Sequence, residues 1–182
     1  MKETDGKSGT LIPKVISVVA VIAMVAAFFL PFVSATGDYR EWLLENPDAV
    51  QSEEISMTNA DMADLSLLAY AVSYSHGEGI GMDGFESTFY MVLCVLPLVL
   101  SVLALVLSLA SKPVGTMVFS ILTVAVVSAL VWDFGSRRIV YDGGRMAFAC
   151  AQYVYYAGAA LSVVGSAWLI SARRKARKAS ES

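Results

Sequence analysis

The chain has one histidine, His76, and two cysteines, Cys94 and Cys150, among 182 residues. A lone histidine excludes constellations built on two imidazoles. The two cysteines form no CxxC and keep no Cys/His spacing, which argues against a zinc site. No Asn-x-Ser/Thr acceptor for N-glycosylation occurs. Charge is scarce in particular places: Asp, Glu, Lys and Arg are absent from 15–33, 89–110, 114–132 and 146–171. With a formal net charge of −3 there is no basic excess of the kind nucleic acid requires, and no nucleic-acid partner is expected.

What fills those uncharged stretches is apolar. Hydrophobic residues make up 57% of the chain, above the half of an ordinary soluble domain. They gather in blocks of about 20 residues, the length a helix needs to cross roughly 30 Å of hydrocarbon. The blocks predict an all-α membrane protein, a bundle of four transmembrane helices with a large, partly helical first loop outside. Residues 1–10 form a cytoplasmic N-terminus, 11–33 the first span, 34–88 the acidic outer loop and 89–110 the second span. A cytoplasmic turn follows at 111–113, then the third span at 114–132, a short outer loop at 133–145, the fourth span at 146–171 and a basic tail at 172–182. Pro97 predicts a kink in the second span. Trp132, Trp168, Phe89 and Tyr90 stand near span ends, where an aromatic belt places such rings. The stretch from Met62 to Tyr74 is too short for a fifth span and carries Asp64.

Orientation follows from the basic residues. Lys2, Lys7, Lys14, Lys112, Arg173, Arg174, Lys175, Arg177 and Lys178, nine in all, fall on one side. Arg40, Arg137, Arg138 and Arg145, four in all, fall on the other. Both termini are therefore expected in the cytoplasm of a cell-membrane protein. The first block also admits reading as a signal peptide, since Pro31 and Val33-Ser34-Ala35 resemble a cleavage region. Its apolar run is longer than the usual core of such a peptide, which favours a retained span.

The outer loop holds the charge. Between Ala35 and Gly84 lie ten acids and one base, Arg40, a net of −9. Asp38 to Glu45 predicts a short helix ended by Asn46-Pro47. Thr58 and Asp61 have the spacing of a capping box for a second helix from Asn59 to about Ser75. On that helix Met62, Leu65, Leu68, Ala69 and Val72 share a face, and with Trp42 they form a candidate interaction surface for a protein partner. Packing of the same stripe on the span ends is the competing explanation. His76, Glu78, Asp83 and Glu86 could be drawn together as cation ligands, but four glycines between 77 and 84 suit a connector better, and no metal or cofactor is expected. The second outer loop could dock on the first or touch headgroups with Arg137, Arg138 and Arg145.

Within the spans, Gly158, Ser162, Gly165 and Ser166 form a small-residue face for close helix packing, within the chain or in a homo-oligomer. Ser101, Ala104 and Ser108 give the second span a weaker version. Gln152, Tyr153 and Tyr156 are a candidate intramembrane polar cluster. Cys94 and Cys150 sit at similar depth and are expected as free thiols.

Four spans, cytoplasmic ends, a large first outer loop and a small second one resemble the layout of claudins and related tetraspan proteins. The resemblance is one of layout: the first loop has a single tryptophan, Trp42, and no cysteine pair. It implies no residue role and no function here. The expected role is interaction, assembly, scaffolding or sensing through the acidic loop, with the lipid bilayer as the other partner. A transporter or channel subunit is the alternative, and an enzyme is not expected.

Overall fold

A computed structural model describes residues 3–53, 56–77, 81–140 and 143–181. It is mostly helical, and three of its helices are long and apolar enough to cross a membrane, the mark of a multi-pass membrane protein. They are α5 (Gly84–Leu109), α6 (Pro113–Ser136) and α7 (Cys150–Glu181). A further helix, α1 (Glu3–Ala27), contributes a shorter apolar stretch, Leu11–Ala27. The shorter elements are α2 (Gly37–Glu45), α3 (Asn59–Ala63) and α4 (Leu67–Ser75), with strands β1 (Pro31–Ala35), β2 (Val50–Ser52), β3 (Met57–Thr58), β4 (Asp64–Ser66) and β5 (Met146–Phe148).

The chain forms two compact units. The helical unit takes the described residues up to Val25, Leu98–Ala125 and those from Val154 onward. The mixed unit takes Ala26–Pro97 and Val126–Tyr153. In α5 the division falls at Pro97, and the helix is continuous through that residue.

In the helical unit the contact faces are small and hydroxylated. A Cβ added to Gly165 would lie 2.9 Å from the Pro13 carbonyl oxygen, and one added to Gly158 would lie 3.0 Å from that of Ala20. Glycine at both places lets α7 approach the α1 backbone. Ser17 Oγ lies 3.4 Å from Ser166 Oγ, and Ser120 Oγ lies 2.8 Å from Ser162 Oγ. The α5–α6 turn is closed by the two backbone bonds of a Schellman motif, Lys112 N to Leu107 O and Ser111 N to Ser108 O. Ser111 takes the left-handed position usually given to glycine, at φ 55°.

The mixed unit is built on a three-stranded antiparallel sheet in the order β4-β1-β5. Val33 pairs with Leu65 on one side and with Phe148 on the other. A bulge interrupts the β1–β4 register between Pro31 and Val33. Phe32, fully buried, meets Phe134 and Phe148 edge to face at 5.6 and 6.0 Å. Leu43 anchors α2 against Ala35 and Ala63, with Tyr39, Met62 and Met146 around it.

Several boundaries differ from the sequence expectation. The expected first span, 11–33, ends as helix at Ala27; Pro31–Ala35 becomes the central strand, because Pro31 cannot continue a helix and Phe32 to Ala35 find partners on both edges. The helix expected from Asn59 to Ser75 is broken by β4. Its capping box is present, with Thr58 and Asp61 bonded reciprocally, but Asp64 to Ser66 extend to pair with β1. Ser66 Oγ then accepts from Ala69 N at 3.1 Å and starts α4 afresh, as a serine at a cap does better than a serine in mid-helix. At the far end, Met146 to Phe148 are strand rather than the first turn of the fourth span, and α7 begins at Cys150. Finally, α5 opens at Gly84, five residues before the apolar block, where Asp83 Oδ1 accepts from Glu86 N at 2.7 Å. An all-α reading therefore missed the five short strands of the described residues, each of which depends on a partner distant in sequence or on a turn.

Candidate functional site

α2 has two faces. Inward, Leu43 is fully buried. Outward stand Asp38, Glu41, Trp42, Leu44 and Glu45, with Trp42 50% and Leu44 49% exposed. Trp42 stacks on Tyr39 one turn earlier, ring centroids 5.9 Å apart and 11° from parallel. A half-exposed indole held by its neighbour offers a large contact area whose ordering cost is already met by folding.

The loop's one base does not relieve this charge. Arg40 points at β4, where its guanidinium holds Asp64 with both nitrogens and also donates to the Ala63 carbonyl at 3.0 Å. Ser34 Oγ donates to the same Asp64 carboxylate at 2.6 Å. These donors hold the Asp64 pKa below the usual carboxylate range, the Arg40 hydrogen bonds first among the causes. The Asp61 carboxyl is likewise lowered, chiefly by the Thr58 backbone N–H. Arg40 pairs with Asp64 and Arg137 with Asp133, and Asp38, Glu41, Glu45, Asp48 and Glu53 form no ion pair with the described residues. Glu54, Glu78 and Asp142 lie outside the described residues.

Beside α2 the second loop docks through its backbone. Thr36 N donates to the Arg145 carbonyl at 3.0 Å, and Thr36 Oγ1 to that of Gly144 at 3.1 Å. The Arg145 guanidinium then stands 5.3 Å from the Tyr39 ring centroid. Arg137 is held differently, paired with Asp133 and stacked 4.0 Å over Tyr90. Between α2 and 143–145 opens a depression of about 660 Å³, floored by Tyr39 and Trp42. Tyr39 and Arg145 also line an apolar cavity of about 400 Å³, whose other walls include Met57, Met62, Leu65, Tyr70 and Met146. That volume lies within the range of pockets that hold small molecules or inserted side chains. Three methionines make its walls adaptable. Burial raises the Tyr70 phenol above its ordinary pKa, so it is neutral throughout the physiological range.

The structure thus separates the residues singled out from sequence. Met62 and Leu65 enter the cavity, and Trp42 stands on the neighbouring depression. Leu68 and Val72 do not join them: on α4 they are 41% and 42% exposed, because the break at β4 rotates them away from Leu65. Gln152 is buried while the adjacent Tyr153 is 64% exposed, so these two face opposite ways; Tyr156, half-buried, belongs to the helical unit. Gly158, Ser162, Gly165 and Ser166 lie on the contact face of α7 described above. Cys94 and Cys150 are free thiols, the first buried and the second exposed. His76 Nδ1 lies 3.1 Å from the Val72 carbonyl, and Asp83 serves α5 as its cap. Among the described residues no three His, Cys, Asp or Glu side chains converge as metal ligands.

Tyr39, Met57, Tyr70, Arg145 and Met146 were not marked as one site by sequence reading. They come from separate segments joined by strand pairing, and no spacing along the chain links them. The chain matches no protein-family model, no curated protein and no solved structure.

Proposed function

We propose that this protein spans the cell membrane four times, with both ends in the cytoplasm, and that the loop segments of its mixed unit, 31–83 and 133–149, stand outside and capture a basic protein partner. The observation that carries the reading is the pairing of an unneutralised acidic face, Asp38, Glu41 and Glu45 with Trp42 among them, with an adjoining apolar cavity of about 400 Å³. Charge steers the encounter, and an apolar side chain seated between Met62, Leu65 and Tyr70 supplies the affinity. Four spans rather than three are supported by the length of Leu11–Ala27, which reaches the short end of the spanning range, and by the nine-to-four distribution of basic residues.

The test uses a basic peptide probe with one tryptophan and the full chain in lipid nanodiscs. Converting Asp38, Glu41, Glu45 and Asp48 to their amides should slow association at low salt. The difference should vanish at high salt, because exposed charges are screened over about 8 Å at physiological ionic strength. Equal association rates at every salt concentration would remove the acidic face from the reading.

A second reading, a channel or transporter subunit, draws on the hydroxyls buried in the helical unit: Ser17, Ser101, Thr116, Ser120, Ser162 and Ser166 among them. They offer a polar lining without an ionisable group, whereas coupled transport ordinarily uses one. Ion or solute flux in liposomes discriminates between the two readings.

A further inference from the structure

At the end of the helical unit that carries the α5–α6 turn, a narrow cleft opens among Lys14, Ser17, Ser108, Lys112, Thr116 and Ser166. Its volume is about 10 Å³, room for one oxygen-sized group. Four features make that position anion-seeking. Lys14 and Lys112 line it, and no carboxylate of the described residues pairs with either. α6 begins there, at Pro113, with Thr116 N donating to Lys112 O as its first turn closes, so the positive end of a helix dipole points at the same place. Ser108 lines the cleft at 5% exposure, and its hydroxyl makes no hydrogen bond to the described residues. A ligand oxygen that enters the cleft would give that hydroxyl a partner. Last, 11–25, 98–125 and 154–178 contain no Asp or Glu, and Arg173 Nη1 donates to the Ser111 carbonyl at 2.9 Å, which holds a guanidinium beside the turn.

We infer that this cleft binds the headgroup phosphate of an anionic phospholipid, one phosphate oxygen entering toward Ser108 and the rest of the phosphate lying between Lys14 and Lys112. A lipid rather than a free anion is the occupant because both lysines flank the apolar stretches of α1 and α6, where a headgroup stands while its chains run along the helices. The flexible stems of the two lysines let their ammonium groups reach a phosphate at the surface of the bundle. The site is independent of the mixed unit and of what that unit captures.

The experiment compares the full chain in vesicles of phosphatidylcholine alone and of phosphatidylcholine with phosphatidylglycerol. The readouts are lipid retained in native mass spectrometry and the thermal unfolding midpoint. The wild type should retain one phosphatidylglycerol and unfold at a higher temperature when that lipid is present. Lys14→Gln and Lys112→Gln should each weaken retention about fivefold, the worth of one basic side chain at an anionic surface. Ser108→Ala should lower the gain from phosphatidylglycerol. A tail variant with Arg174, Lys175, Arg177 and Lys178 changed to glutamine should keep the retained lipid. Loss of retention in the tail variant with no loss in the two lysine variants would mean general attraction to basic residues and would overturn the site. So would equal retention in all variants. Stabilisation by inorganic phosphate in a neutral detergent to the same degree as by phosphatidylglycerol would assign the cleft to a free anion and overturn the lipid.

Discussion

Arg40 grips Asp64 with both arms of its guanidinium, Nη1 to Oδ1 at 3.0 Å and Nη2 to Oδ2 at 2.7 Å. The pair ties α2 to β4 and directs the only base of the first loop inward. The acids on the outer face of α2 are left unopposed as a result. The structural link and the charge of the surface are thus one arrangement.

The pair has a pH signature. The Asp64 pKa is depressed in the fold, so its contribution is present above the ordinary carboxylate pKa of about 4 and is lost as pH falls through the folded value. With both side chains 38% exposed, the contribution is about 1 kcal/mol. Asp64→Asn should lower stability by that amount at pH 7 and flatten the acid limb of a stability–pH profile. Protease resistance of the mixed unit, followed from pH 7 to about pH 3, measures it. An unchanged acid limb would show that Asp64 is not linked to folding.

Leu65 and Leu68, three residues apart, should respond differently to the same truncation. Leu65 is 6% exposed and walls the cavity, so Leu65→Ala should cost about 2–3 kcal/mol. Leu68→Ala should stay within about 0.5 kcal/mol. Thermal unfolding of the two variants in one detergent separates the broken helix seen here from a continuous amphipathic one, in which the two changes would cost alike.

Two backbone positions in the helical unit should move stability in opposite directions. Gly165→Ala places a Cβ 2.9 Å from a backbone oxygen of α1 and should destabilise by about 1–3 kcal/mol. Ser111→Gly relieves a left-handed residue in the Schellman turn and should stabilise by about 1 kcal/mol. Midpoints in detergent decide both signs.

Membrane orientation is open to labelling. In a Cys94→Ala, Cys150→Ser background, a cysteine at Ser52 should react with an impermeant maleimide on intact cells. A cysteine at Ser111 should react only after permeabilisation. The reverse pattern would invert the proposed topology.

How much of this was legible in the sequence depended on the range of the forces involved. The long helices were, because a bilayer imposes a length and a composition that any window over 89–110 or 114–132 reveals. So were the Thr58–Asp61 box and the stop at Asn46-Pro47, which act over three or four residues. The break at Asp64 was not. Met62, Leu65 and Leu68 keep helical spacing, and what overrides it is β1, some 30 residues earlier, which offers Asp64 and Leu65 a ladder. The candidate site suffered most from this. Trp42, Met62 and Leu65 were identified for their exposure or periodicity, but Arg145 and Met146 reach Tyr39 only because β5 pairs with β1, and no local signal carries that pairing.

The central claim is that recognition occurs on the mixed unit, at α2 and the cavity beside it. The most direct measurement is site-specific photocrosslinking in native membranes, with the photoreactive residue at Leu44 on α2 or at Leu161 on α7, which is exposed and belongs to the helical unit. The expected result is a protein adduct from Leu44 whose yield falls with added salt and with the four-acid amide variant, and no protein adduct from Leu161. An adduct from Leu161 that persists in the amide variant, with none from Leu44, would contradict the account and place recognition on the spans.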